Sequence, residues 1–146
     1  MKISSKGKNS VAAVVYIAEN SYKTKPITAT AISNTLEISR SYLEQILSIL
    51  KNSGILKSVK GSVGGFILAK PPEEISLYDI LSKTELCLTE KNEPLYINEN
   101  SEADRLLSHI VWDRLDDIVE GFLKSISVKE ILEQYHTSAL VGFLKS

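Results

Sequence analysis

Residues 38–70 read ISRSYLEQILSILKNSGILKSVKGSVGGFILAK. Leu43, Ile46, Leu47 and Leu50 recur at helical spacing, so one face of a helix is apolar. Ser39 stands where it can cap that helix, bracketed by the apolar pair Ile38 and Leu43. Gly54 follows the last apolar position and suits the left-handed residue that ends a helix. Then Ile55 to Lys60 and Phe66 to Lys70 are β-rich runs around Gly61-Ser62-Val63-Gly64-Gly65, which predicts a hairpin. The helix leaves Arg40, Ser41, Glu44, Gln45, Ser48 and Lys51 off its apolar stripe.

Upstream, Val11, Val14, Val15 and Ala18 predict one face of a first helix, and Thr28 caps a second, with Ile27 and Ile32 bracketing the cap. Three helices closed by a basic hairpin make a winged helix-turn-helix, whose third helix enters the major groove of DNA. The expected fold class is therefore mostly α with a small β-hairpin wing.

Charge supports that reading. Residues 1–70 carry ten Lys/Arg against three acids, a formal +7, while residues 71–146 carry seven against fifteen, a formal −8. The net charge of −1 conceals this segregation. A basic half suits a polyanionic partner, here double-stranded DNA, and the acidic half has a different task.

Charge changes sign at Lys70-Pro71-Pro72-Glu73-Glu74, where two prolines interrupt regular structure. Residues 1–72 form the expected DNA-binding domain. Residues 73–100 hold a short helix, capped by Ser76 and Asp79, and a loop without periodicity at 84–100 that is the candidate sensor segment. Residues 101–138 give a long helix from Ser101 to about Ser125, then a last one capped by Ser127 and Glu130 and ending near Tyr135. Residues 139–146 are read as a tail.

The long helix carries Leu106, Leu107, Ile110, Val111, Trp112, Leu115, Ile118, Val119, Phe122 and Leu123, a stripe too broad for one contact surface. It is expected to pack on its own body and on a second copy, with Leu107, Ile110, Val111, Leu115, Ile118 and Phe122 at the dimer seam. A homodimer would set two recognition helices about one DNA turn apart, roughly 34 Å.

Other classes of function fit poorly. The longest apolar run, Val11 to Ala18, is well short of the roughly 20 residues of a membrane span. One cysteine excludes an intrachain disulfide and suits a reducing cytoplasm. The two histidines, His109 and His136, lie in the acidic half without a nucleophile motif, so no enzyme is expected. The glycine-rich turn lacks the Gly-Lys-Ser/Thr ending of a phosphate-binding loop and leads into a strand.

The order of these blocks resembles the Rrf-two family of bacterial winged-helix repressors. The likeness is densest at ISRSYLEQI (38–46), GILKSVKG (54–61), GGFILAKPPEEI (64–75) and Ile126-Ser127. It implies a homodimer on a palindromic operator, with the long helix as the seam. Lys60 occupies the place where the family usually carries a minor-groove Arg, and a point charge reads groove shape less specifically than a planar fork. Cluster-bearing members place three cysteines before the long helix and a histidine at its start. Here Cys87 is the one cysteine, and His109 stands at the histidine position. An iron–sulfur cluster takes about four protein ligands, so none is expected, and the chain resembles the cluster-free, CymR-like branch. That branch implies a regulatory partner protein.

The residues assigned to DNA follow. Ser41 and Glu44 are expected to contact bases, and Arg40 and Gln45 bases or phosphates, because Arg suits guanine, Gln adenine and Glu the cytosine amino group. Ser39, Tyr42 and Ser48 are counted with that surface. Lys57, Lys60 and Gly61 form the wing contact, and Lys2, Lys6 and Lys8 face phosphates. Two alternatives stand beside this. Cys87 and His109 from both subunits could form a four-ligand metal or redox site, and the chain could be a protein-interaction module with weak DNA binding.

Overall fold

The computed structural model describes residues 2–21, 25–88 and 101–145, with residue 87 and residues 139–145 described by backbone alone. Helix α1 (Ser5–Asn20) opens on Ser4, whose Oγ accepts the Gly7 N–H at 3.1 Å. Its buried face is Ser10, Ala13, Val14 and Ile17, one position round from the predicted Val11, Val14, Val15 and Ala18 stripe. Ser10 explains the difference. Its hydroxyl donates to the Lys6 carbonyl at 2.7 Å, so a residue that reads as polar is buried with its hydrogen bond made.

Helices α2 (Ala29–Leu36) and α3 (Arg40–Asn52) begin at the predicted caps. Thr28 Oγ1 accepts the Ala31 N–H at 3.1 Å, and Ser39 Oγ accepts the Tyr42 N–H at 3.2 Å. Three residues separate the helices. Glu37 turns the chain in the left-handed region (φ 55°, ψ 41°), and the bend is closed from Ser33, whose carbonyl accepts the Ile38 N–H and whose hydroxyl donates to the Ile38 carbonyl. Helix α3 ends as its sequence predicts. Gly54 has φ 77°, its N–H donates to the Lys51 carbonyl, and the Ile55 N–H reaches back to Leu50 at 3.0 Å, a Schellman closure.

The hairpin pairs β1 (Leu56–Val59) with β2 (Gly65–Leu68) in antiparallel register, Leu56 opposite Leu68 and Val59 opposite Gly65. Its base is stitched to the segment before α2: Phe66 N–H donates to Ile27 carbonyl at 2.8 Å, and Ile27 N–H returns to Phe66 carbonyl at 3.0 Å. Gly65 permits this approach, since a Cβ there would lie 2.5 Å from the Ile27 carbonyl oxygen.

Leu43, Ile46, Leu47 and Leu50 of α3 pack into one core with Val14, Ile17, Ile32, Ile55, Ile75, Ile80 and Val128. The core therefore runs past Pro72 and takes in both the short helix α4 (Leu77–Thr84) and the start of α7 (Val128–Lys145). Ser76 and Asp79 form a reciprocal capping box on α4, and Ser127 Oγ accepts the Glu130 N–H at the start of α7. The two caps are joined to each other. Leu77 N–H donates to Ile126 carbonyl at 2.9 Å, and Val128 N–H to Ile75 carbonyl at 2.8 Å, which fixes the root of the helical arm to the head.

That arm is one continuous helix in three parts: α5 (Glu102–Leu107), a widened π turn at Ser108–Trp112, and α6 (Asp113–Ser125). Leu107, Trp112 and Asp113 all keep ordinary helical angles across the joins. Leu123 is buried and the α6 stem packs on α4, where Lys124 lies 4.8 Å over the Tyr78 ring and donates to Glu120. That hydrogen bond raises the Lys124 pKa above the ordinary lysine value. Helix α7 continues to Lys145, past the expected end near Tyr135, so residues 139–145 extend the helix instead of forming a separate tail. No proline interrupts residues 128–146, and the polar run His136-Thr137-Ser138 marks a solvated face, not a stop. Among the described residues, no helix is long and apolar enough to cross a membrane.

Candidate nucleic-acid interface

The interface is built on the face of α3 opposite its core contacts. Ser41, Glu44, Gln45 and Ser48 stand at i, i+3, i+4 and i+7 and are all exposed. The buried leucines beneath hold the helix, and this polar row is what it presents outward. Ser39 is exposed but committed to its cap, with its Oγ 3.5 Å from Ser41 Oγ. Tyr42 is half-buried and packs against the core, so much of its ring supports the helix from below.

Arg40 does not stand alone. Its Nε donates to Glu44 Oε1 at 3.0 Å, and its Nη1 donates to Thr30 Oγ1 at 2.7 Å, on the first turn of α2. Two residues read separately from the sequence are thus one ion pair, anchored to a second helix. Thr30 was not among the predicted site residues. No periodicity marks it, and only the packing of α2 against α3 brings it to Arg40. A hydroxyl two positions beyond the α2 cap is the one signal the sequence offered.

The wing places Lys57 on β1 opposite Ile67, with Lys60 and Gly61 at its turn, all three exposed. Gly61 has φ 123°, a conformation that L side chains rarely adopt, so the turn requires glycine there. Val63, beyond the predicted set, is 80% exposed at the tip. From Lys25 to Lys70 the described chain carries six exposed cations against the two exposed acids Glu37 and Glu44, so the helix-turn-helix and wing present a positive surface.

Lys2, Lys6 and Lys8 sit around the start of α1, Lys2 and Lys8 exposed and Lys6 half-buried. This end of the helix is held from the acidic half. Glu85, a buried carboxylate just after α4, accepts the Ser4 N–H at 3.1 Å and the Ser4 hydroxyl. Gly7 leaves room for it, since a Cβ there would lie on the Glu85 carboxylate.

The seam residues behave differently from the core. Leu107, Ile110, Val111, Leu115, Ile118 and Phe122 are all exposed, as are Leu106 and Trp112, at 40% to 69%. They form an uncovered apolar face along a helix that carries six acids against three Lys/Arg.

His109 lies in the π turn, with its Nδ1 3.5 Å from Asp113 Oδ2 and its side chain 87% exposed. The Cys87 side chain and residues 89–100, which complete the candidate sensor loop, lie outside the described residues. The sequence contains one thiolate donor, whereas an iron–sulfur cluster takes about four protein ligands. Among the described residues, no three His, Cys, Asp or Glu side chains come together as metal ligands.

Comparison with known proteins agrees with this architecture. Residues 3–134 match the family profile Rrf2, described as an iron-dependent transcriptional regulator. The HTH-type transcriptional regulator IscR of Photorhabdus laumondii is 32% identical over 143 residues, spanning 97% of this chain and 85% of that protein. Among solved structures, CymR, the global cysteine regulator of B. subtilis, superposes with a TM-score of 0.74 at 28% identity, covering 92% of this chain and 98% of that one. Oxidized Staphylococcus aureus CymR gives 0.70 at 32% identity, covering 91% and 97%. IscR is named as a transcriptional regulator and B. subtilis CymR as a global regulator, and the winged helix, the polar face of α3 and the basic wing are the parts such a regulator needs. The chain belongs to the Rrf2 family of DNA-binding transcriptional regulators.

Proposed function

We propose that the chain acts as a homodimeric repressor on a palindromic operator and works without an iron–sulfur cluster. The observation that carries the dimer is the row of large apolar side chains left open along the 102–125 helix. Covering Leu107, Ile110, Leu115 and Ile118 with the same face of a second copy removes apolar surface at about 25 cal/mol per Å², and a two-fold seam is self-complementary. Two heads on one seam then offer two copies of the α3 face to a site with matching symmetry.

Within each head, Ser41 and Glu44 read base edges, Gln45 and Arg40 reach bases or phosphates, and Lys57, Lys60, Lys2, Lys6 and Lys8 neutralise the backbone. Ser39 and Tyr42 serve the same surface chiefly by holding α3 in place, and Ser48 extends it one turn. Repression follows from occupancy, since a dimer seated across a promoter excludes polymerase. The cluster-free reading rests on the donor set. Signal reception belongs to residues 84–100 and to the start of the long helix, which carries His109.

Anaerobic purification tests both parts together. The expected protein is colourless and iron-free, and still shifts its upstream DNA. Its affinity falls by roughly 0.9 log units per neutralised phosphate for each log unit of salt. Stoichiometric iron with visible absorption would overturn the cluster-free reading, and a salt-independent shift would overturn the basic footprint.

A further inference from the structure

The geometry points to Thr30 as a positioning residue for base reading, acting on Glu44 through Arg40. This rests on the reading of Glu44 as a base contact proposed above. An exposed Arg–Glu pair four residues apart on one helix is ordinarily loose and contributes little, because both long side chains retain rotamer freedom. Here the guanidinium is tied at two places to two helices: Nε to Glu44 on α3 at 3.0 Å and Nη1 to Thr30 on α2 at 2.7 Å. A planar group held by two of its five donors has its plane set. The carboxylate it grips is set with it.

The chemical consequence concerns which base pair is read. Oε1 of Glu44 is occupied by Arg40, which leaves Oε2 to accept from a base amino group, and three guanidinium N–H donors to give to a base oxygen or nitrogen. A fixed acceptor beside fixed donors complements a C·G pair, which shows the cytosine N4 amino group next to guanine O6 in the major groove. Arg40 and Glu44 then act as one reading unit, and Thr30 sets its direction without touching DNA. Lysine at position 40 would bring a point charge with no plane to set.

The test uses full-length protein and duplexes recovered by selection from a random-duplex library. Affinities are measured by fluorescence anisotropy on each selected duplex and its single-base-pair variants. Glu44→Ala locates the base pair that Glu44 reads, as the position where discrimination collapses. Thr30→Val removes the acceptor and keeps the β-branched shape, and is expected to lose about five-fold in discrimination at that same position. Binding to unselected duplex should be unchanged, and Thr30→Ser, which keeps the hydroxyl, should restore discrimination. Adding Thr30→Val to Glu44→Ala should cost less than the sum of the two separate losses, since both act on one reading unit.

Undiminished discrimination in Thr30→Val, an equal loss on unselected duplex, or losses that add to those of Glu44→Ala would each overturn the role of Thr30 alone. A Glu44→Ala protein that discriminates normally at every position would overturn the reading of Glu44, and the role of Thr30 with it.

Discussion

Replacing Leu115 and Ile118 together by Glu is expected to split the proposed homodimer into single chains and to weaken operator binding by about a hundred-fold or more. Both side chains are exposed on the subunit, at 48% and 69%, so the substitution leaves the core of each head untouched. In a two-fold seam the change appears twice and brings four carboxylates into one apolar contact. Burying a charge without a partner costs several kcal/mol, more than such a contact can supply. The hundred-fold follows from losing the second head, whose binding becomes intramolecular once the first is seated. Sedimentation gives the mass, and anisotropy on operator and unselected duplex gives the affinities. Operator affinity should fall towards the unselected level while circular dichroism stays unchanged. A variant that remains two-chain, or a single-chain variant with full operator affinity, would contradict this use of the arm.

Leu47→Ala and Ser48→Ala form the second test, because of these neighbours on α3 one is buried and the other exposed. Leu47 is 2% exposed and lies in the cluster with Val14, Ile32 and Ile80, whereas Ser48 is on the outward row. Truncating Leu47 removes buried methyl groups and leaves a cavity, at an expected cost of about 2–5 kcal/mol. That is a large share of the roughly 5–15 kcal/mol that holds a domain together. Ser48→Ala should change stability by less than about 0.5 kcal/mol. Urea unfolding at a fixed protein concentration measures both, the concentration being held because association shifts the midpoint. Equal costs for the two would mean that α3 is not seated on its leucine face.

Much of this architecture was legible because it rests on local chemistry. Thr28, Ser39, Ser76 and Ser127 all cap the helices the sequence assigns them, and Ser101 caps the helix it opens, each accepting a backbone N–H three residues on. The closure at Gly54 and the glycine-rich wing turn are local in the same way. What stayed hidden depends on distant partners. Ser4 caps α1 while held by Glu85, 81 positions away, and nothing in the first ten residues announces that carboxylate.

The α1 face was misplaced by one position because burial of Ser10 depends on a hydrogen bond and not on hydropathy. Within the interface, the polar row of α3 follows from counting along a helix. The Arg40–Glu44 pair also lies within reach of that count, but its anchor at Thr30 needs the crossing of two helices. The π turn at Ser108–Trp112 adds a residue to one turn of a helix whose broad apolar stripe masks any break in period.

The most direct measurement is selection of duplexes from a random library by the full-length protein, with the mass of each protein–DNA complex determined alongside. Two positively charged heads joined by an apolar arm should recover inverted repeats whose half-sites lie a whole number of DNA turns apart, each duplex carrying two chains. Recovery of single, asymmetric half-sites occupied by one chain would contradict it.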